Sequence, residues 1–290
     1  MANFDIENDE IRVIHSIETS QGSHDKKSGV SATSTKRKWW KWVTASLLGL
    51  ILAIALLLLL LQTRSDTKSA VSAQTDNVLT HPQPYTEIYD TIVNGIPLKV
   101  FLPHNAKPHL ALAPVSIEDS AMILGAQAAD YGWDRNKWII AGGFILKGEL
   151  LSYSKSKYGF CALLDSGVVI GKALSTPYFE RCIEEGGDFF RQYPLVYENE
   201  PQVYKSKEQH PRRALCQKDN RTFIVESLTA ETLTAFAQAL ADISIKNAIA
   251  LVSTGMAWRW ATDQNGKRYL TGLTEKEPPP MASFIVWTKD

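Results

Sequence analysis

The sequence predicts one transmembrane helix followed by a single mixed α+β extracytoplasmic domain, and three observations carry that expectation. Residues 43–61 contain no charged side chain, and about 20 apolar residues at roughly 1.5 Å each cross the ~30 Å hydrocarbon core of a bilayer. Lys26, Lys27, Lys36, Arg37, Lys38 and Lys41 precede that run, against only Arg64 and Lys68 just after it. Beyond residue 85, strand-like runs bounded by turn residues alternate with helix-like ones.

Taken in order, residues 1–38 are polar and aperiodic and read as a disordered cytoplasmic tail. Residues 39–63 form the anchor, with Trp39, Trp40 and Trp42 placed for the headgroup region and the basic residues held inside. The chain is therefore expected to be single-pass in the inner (plasma) membrane, N-terminus cytoplasmic, main domain periplasmic or extracellular. A cleaved signal peptide cut after Val71-Ser72-Ala73 is the rival. Secretory apolar regions run about 7 to 15 residues and lie close to the cut, whereas this run is longer and Arg64, Asp66 and Lys68 intervene. Nothing in the span is polar enough to form a transport path, so it acts as a tether. Residues 64–84 are small and polar and read as a flexible stalk.

Residues 85–290 are long enough for one well-cored domain. Asn94-Gly95, Asp165-Ser166-Gly167, Asp219-Asn220 and Asn265-Gly266 each mark a hairpin turn between β-rich runs. Residues 119–131 are Ala-rich with apolar residues at helical spacing, and residues 178–191 also read as helix despite Gly186-Gly187. Residues 137–146 read as one strand leading through Gly142-Gly143. Residues 230–243 give the clearest helix, with Leu233, Phe236, Ala237 and Leu240 on one face and Thr229 as N-cap. Residues 248–252 and 283–287 complete the set as strands.

Acidic and basic residues number 31 each, so no basic footprint for nucleic acid is present. Cys161, Cys182 and Cys216 show neither CxxC spacing nor a neighbouring His, which argues against zinc, and no metal or other cofactor is expected. In an oxidising exterior two could pair, Cys161 and Cys216 being favoured by their strand-like settings. Three buried free thiols are the equal alternative.

Three segments carry candidate chemistry. Residues 139–144 end a strand in Gly142 and Gly143, which permit close approach of a ligand or of another backbone. His210-Pro211-Arg212-Arg213 places two guanidinium groups at a strand start, suited to phosphate or carboxylate or else simply solvated. Residues 250–258 run from a buried strand through Ser253, Thr254 and Gly255 to Trp258, with Trp260 beyond; the aromatic faces suit sugar rings or packing. Ser253 is a small nucleophile candidate, and His210 the nearby base.

In this order, with a helix between the second and third, the segments resemble the phosphodiester glycosidase family, whose bacterial members are linked to exopolysaccharide or envelope metabolism. That family carries Asn-Gly-Gly-Phe-Phe, then Arg-Thr-Ala-Ile-Gly, then Leu-Asp-Gly-Gly-Gly-Ser. Here Gly142, Gly143 and Phe144 match, while Ala141 replaces the Asn and Ile145 the second Phe. Arg212 matches the Arg and Cys216 replaces the closing Gly. Leu251 and Gly255 match, while Val252 replaces the Asp, Ser253 and Thr254 two glycines, and Met256 the Ser. Valine can neither accept a proton nor orient a hydroxyl.

The resemblance implies the family's fold with a degenerate centre: an envelope pseudoenzyme that binds glycan or glycosyl-phosphate. Gly142, Gly143, Arg212, Arg213, Thr254, Gly255 and Trp258 are the implied ligand contacts. Two alternatives stand beside it. One is an active hydrolase of glycosyl phosphodiesters using Arg212, Ser253 or His210. The other is a protein-interaction module of an envelope complex.

Overall fold

Turn chemistry sets most strand boundaries. Asn94 and Gly95 adopt φ of 52° and 80°, and Asp219 and Asn220 of 50° and 59°; consecutive positive φ values make the tight turns that match hairpin twist. The computed structural model describes residues 83–154, 156–253, 257–272 and 277–289. The expected tail, the span and the stalk up to residue 82 lie outside the described residues, as do Thr254, Gly255 and Met256.

In chain order the strands begin with β1 (Tyr85–Val93), β2 (Ile96–His104), β3 (Lys107–Leu112), β4 (Met122–Gln127), β5 (Tyr131–Asp134) and β6 (Lys137–Ile140). There follow β7 (Phe144–Leu146), β8 (Glu149–Ser152), β9 (Gly159–Leu164), β10 (Gly167–Lys172) and helix α1 (Pro177–Glu184). Next come β11 (Asp188–Gln192), β12 (Pro194–Tyr197), β13 (Glu200–Pro201), β14 (His210–Lys218), β15 (Arg221–Glu231) and helix α2 (Leu233–Asp242). The last strands are β16 (Asn247–Leu251), β17 (Arg259–Thr262), β18 (Arg268–Thr271) and β19 (Ser283–Thr288).

Three antiparallel sheets enclose the core. One has seven strands in the order β1-β2-β15-β14-β16-β12-β13; two have five, β10-β9-β11-β7-β8 and β18-β17-β4-β19-β3; β5 and β6 pair alone. Alternation along each strand divides the side chains between layers. Leu215, Ile224 and Ile249 of the seven-stranded sheet meet Phe190, Cys161, Leu124 and Ile285 from the other two. On its other face Ala214, Cys216 and Val225 pack under Phe236, Ala237 and Leu240 of α2. Helix α1 covers the first five-stranded sheet through Cys182, against Phe160 and Phe189.

The domain is thus mostly β-sheet with two helices among the described residues, where a more even mixture of helix and strand was expected. None of the described helices is long and apolar enough to cross a membrane. The expected helix at residues 119–131 is instead the central strand β4, flanked by β17 and β19. Its Gly125 lies against the Trp260 ring, where an added methyl group would collide. Residues 178–191 split into α1 and β11, because Gly186 (φ 73°) turns the chain and Gly187 abuts Leu163 and Leu164. Residues 137–146 break at Gly142 (φ 113°), sending β6 and β7 to different sheets. The α2 N-cap is Thr232, whose side chain accepts from Ala235 N at 3.1 Å, because β15 runs on to Glu231 past Thr229. All three cysteines are free and buried, so the disulfide alternative gives way to three thiols. Burial pushes the Cys182 thiol up to about 12 and also raises those of Cys161 and Cys216.

Candidate functional site

The three predicted segments come to the ends of strands β4, β6, β14 and β16, and hydrogen bonds show how each is used. Gly142 and Gly143 stand against Arg191 of β11: Arg191 N donates to Gly143 O at 3.0 Å. A Cβ on Gly142 would lie 3.4 Å from Arg191 O, and one on Gly143 would lie 3.2 Å from Ser154 O. Gly143 therefore serves close backbone approach, and Gly142 a positive φ of 113°. The Arg191 side chain, 3% exposed, donates to Ala173 O (2.7 Å), Leu174 O (2.9 Å) and Lys157 O (3.4 Å). Lys157 pairs with Asp130, whose carbonyl accepts from Ala141 N at 2.7 Å.

Arg212 and Arg213 part company at a β-bulge. The β14–β15 register shifts between Pro211 and Arg213, and a bulge re-aims the residue it contains. Arg212 N donates to Ser227 Oγ (2.7 Å), while its guanidinium donates to Glu231 O (2.7 Å) and Glu208 O (2.6 Å). It ties the β14 start to the β15 end. Arg213, 5% exposed, faces between the sheets instead. Its Nε donates to Glu226 Oε1 (2.5 Å), and its Nη1 to Val252 O (2.9 Å) and Trp258 O (3.3 Å).

Glu226 Oε1 also accepts from Arg259 Nε of β17 at 3.0 Å. Arg259 lies over the Phe101 ring at 4.2 Å. The Arg213–Glu226–Arg259 triad joins the seven-stranded sheet to a five-stranded one across their interface. Burial alone would raise the Glu226 carboxyl, but the two guanidinium groups outweigh it and hold it below the usual carboxylate range. Burial depresses Arg191, Arg212 and Arg259, with Glu226 opposing the effect at Arg259. Trp258 is held further by its N donating to Gln127 Oε1 (3.1 Å) and by Gln127 N donating to its O (3.0 Å).

Of the other candidates, Ser253 and Trp258 adjoin the two carbonyls that Arg213 holds. His210 is exposed on the β14 edge, 3.6 Å from Glu208. Ser253 is half-buried two residues beyond β16, and Val252 beside it is buried. Thr254 and Gly255 lie outside the described residues. Trp258 is half-buried beside Phe284, and Trp260 is fully buried in the same cluster. No group of His, Cys, Asp and Glu side chains among the described residues could hold a metal ion.

Sequence reasoning passed over the residues that organise this region. Arg191, Glu226 and Arg259 each interrupt an apolar strand, after Phe189-Phe190 and Ile224-Val225 and between Trp258 and Trp260. A charge at an inward-facing strand position is the signal that could have found them. The β5–β6 hairpin was also missed. Trp133 and Trp138 are cross-strand partners with rings 5.1 Å apart, edge to face, and Trp133 is 59% exposed. The hairpin closes at Ala141 N to Asp130 O, beside Gly142.

Neither a protein-family model nor a curated protein matches the chain. Among solved structures it is similar to the zebrafish N-acetylglucosamine-1-phosphodiester α-N-acetylglucosaminidase catalytic domain, auto-inhibited by pro-peptide. The TM-score is 0.50 at 13% identity, over 76% of this chain and 87% of that one. A hypothetical protein from Synechocystis aligns with TM-score 0.47 and 10% identity, over 71% of this chain and 62% of that one. At this identity the first likeness establishes a distant fold relationship and nothing about chemistry.

Proposed function

We propose that this chain is a membrane-tethered envelope protein whose outer domain keeps a phosphodiester glycosidase-like scaffold and binds glycan without cleaving it. One observation carries the loss of catalysis: the strand-end guanidinium groups are turned to structural use. Arg191, Arg212 and Arg213 donate to backbone carbonyls and to Glu226. The position where the resemblance requires Asp is the buried Val252, whose carbonyl is itself held by Arg213. Hydrolysis of a glycosyl phosphodiester needs a proton donor or acceptor at the reacting atoms, and Val252 supplies none. The tether rests on the charge asymmetry and purity of residues 43–61. The glycan reading rests on the fold likeness and on the exposed Trp133–Trp138 pair beside the strand ends, aromatic faces of the kind that sugar rings stack on.

The test uses the full chain reconstituted in lipid nanodiscs and a panel of N-acetylglucosamine-1-phosphodiesters, with and without divalent cations. No sugar release is expected under either condition. Release that follows protein concentration and is lost in Arg212→Ala would restore the hydrolase alternative and remove this reading.

A further inference from the structure

Where the seven-stranded sheet and the β18-β17-β4-β19-β3 sheet diverge, β1 and β2 on one side and β17 and β18 on the other leave a groove of about 780 Å³. That volume lies within the ~300–1,000 Å³ of typical small-molecule sites. We propose that this groove is a saccharide-binding site that selects neutral chains over anionic ones. The ligand class rests on the glycan reading above; the place and the charge selectivity do not.

Aromatic side chains supply the first argument. Tyr89 and Tyr269 line opposite walls and are 45% and 36% exposed. Each combines a flat ring with a hydroxyl, the pairing that suits a sugar's apolar face and polar edge. Gln264 and Asn265 add side-chain amides that both donate and accept.

Charge supplies the second. Glu87, Asp90 and Asp263 line the groove against Lys99 and Arg259, a net charge of −1. Asp90 pairs with Lys99 at 2.5 Å, and Glu87 is hydrogen-bonded to the His104 ring at 3.0 Å. Asp263 accepts from Asn265 N (2.8 Å), Lys267 N (2.9 Å) and Tyr269 Oη (3.2 Å). An incoming phosphate or carboxylate would meet three carboxylates, with Lys99 already bonded to Asp90 and the Arg259 guanidinium buried against Glu226.

The third argument is Arg259, which lines the groove and is 5% exposed. Its Nε is held by Glu226 (3.0 Å) and its Nη2 by Thr271 Oγ1 (2.5 Å), whereas its Nη1 is buried with no acceptor. A buried donor without a partner is unfavourable, because it has given up water and gained nothing in return. A sugar hydroxyl or ring oxygen that reached Nη1 through a shift of the groove wall would supply the missing acceptor without adding charge. Since Glu226 also holds Arg213, and Arg213 donates to Val252 O and Trp258 O, the groove wall and those two carbonyls share one buried triad.

The experiment is titration calorimetry of the full chain in nanodiscs with cellohexaose, chitohexaose and a hexamer of galacturonate. At least one neutral hexamer should bind more tightly than the galacturonate. Tyr89→Ala and Tyr269→Ala should each weaken that binding about three- to ten-fold, while Tyr89→Phe, which keeps the ring and loses the hydroxyl, should weaken it less than Tyr89→Ala, with matched thermal melting confirming that each variant folds. Tighter binding of galacturonate overturns the charge selectivity. Neutral binding that ignores both tyrosine changes but is lost in Trp133→Ala overturns the groove and leaves the glycan reading in place. No binding of any hexamer overturns both.

Discussion

Asp90 and Glu226 each lie 2.5 Å from a cation, Lys99 Nζ in one case and Arg213 Nε in the other. The Asp90 side chain is 60% exposed on the groove rim, and that of Glu226 is 11% exposed in the seam between two sheets. Identical geometry has opposite consequences because solvent differs. On the rim, water solvates both charges whether or not they pair, so the interaction is small. In the seam, neither charge has that option, and removing one strands the others. The seam is where the fold is held, and the rim is where a ligand can displace water.

The sharpest way to break that contrast is Glu226→Ala, which leaves Arg213 and Arg259 buried and unpaired. A loss of about 3–5 kcal/mol is expected by denaturant unfolding. The pH dependence has a definite sign. Because the folded carboxyl is held below its ordinary value near 4.3, its contribution is complete above that value and disappears as pH falls through the lower folded one. Unfolding midpoints between pH 6 and pH 2 should therefore fall less steeply in Glu226→Gln than in the unaltered chain.

Arg212→Ala tests the intermediate case, a half-buried guanidinium bonded to the carbonyls of Glu231 and Glu208. Charged hydrogen bonds are worth about 1.5–3 kcal/mol, and a loss in that range by the same measurement would mark Arg212 as structural. Unchanged stability would return it to the ligand-binding role that the sequence resemblance implied. Asp90→Asn is the smallest effect, about 0–1 kcal/mol. A larger loss there would dissolve the distinction between rim and seam.

Hairpins were the most legible part of the sequence. Asn94-Gly95, Asp219-Asn220 and Asn265-Gly266 turn where expected because positive φ is a local requirement met by few residue types. Residues 119–131 were misread because alanine and leucine at helical spacing say nothing of what lies beside them. In the folded chain β4 is paired on both edges, and its Gly125 makes room for Trp260 from well over a hundred residues away. The adjacent Arg212 and Arg213 look alike in sequence. A bulge separates them, sending one to backbone carbonyls near the surface and the other to a buried carboxylate. The exposed Trp133–Trp138 pair follows from a turn at Arg135-Asn136 that went unrecognised, with φ of 44° and 64°.

By itself the sequence determined what depends on neighbours along the chain: the turns, the apolar run at residues 43–61, and an apolar Val252 where the resemblance implies Asp. Segment order was enough to suggest the distant fold relationship. Only the tertiary structure decided which charges face water. The groove draws on residues 85–90, 99–101 and 259–271, and the triad on strands β14, β15 and β17. Burial is a property of that assembly, and at equal distance burial decides whether an ion pair holds the fold or merely decorates it.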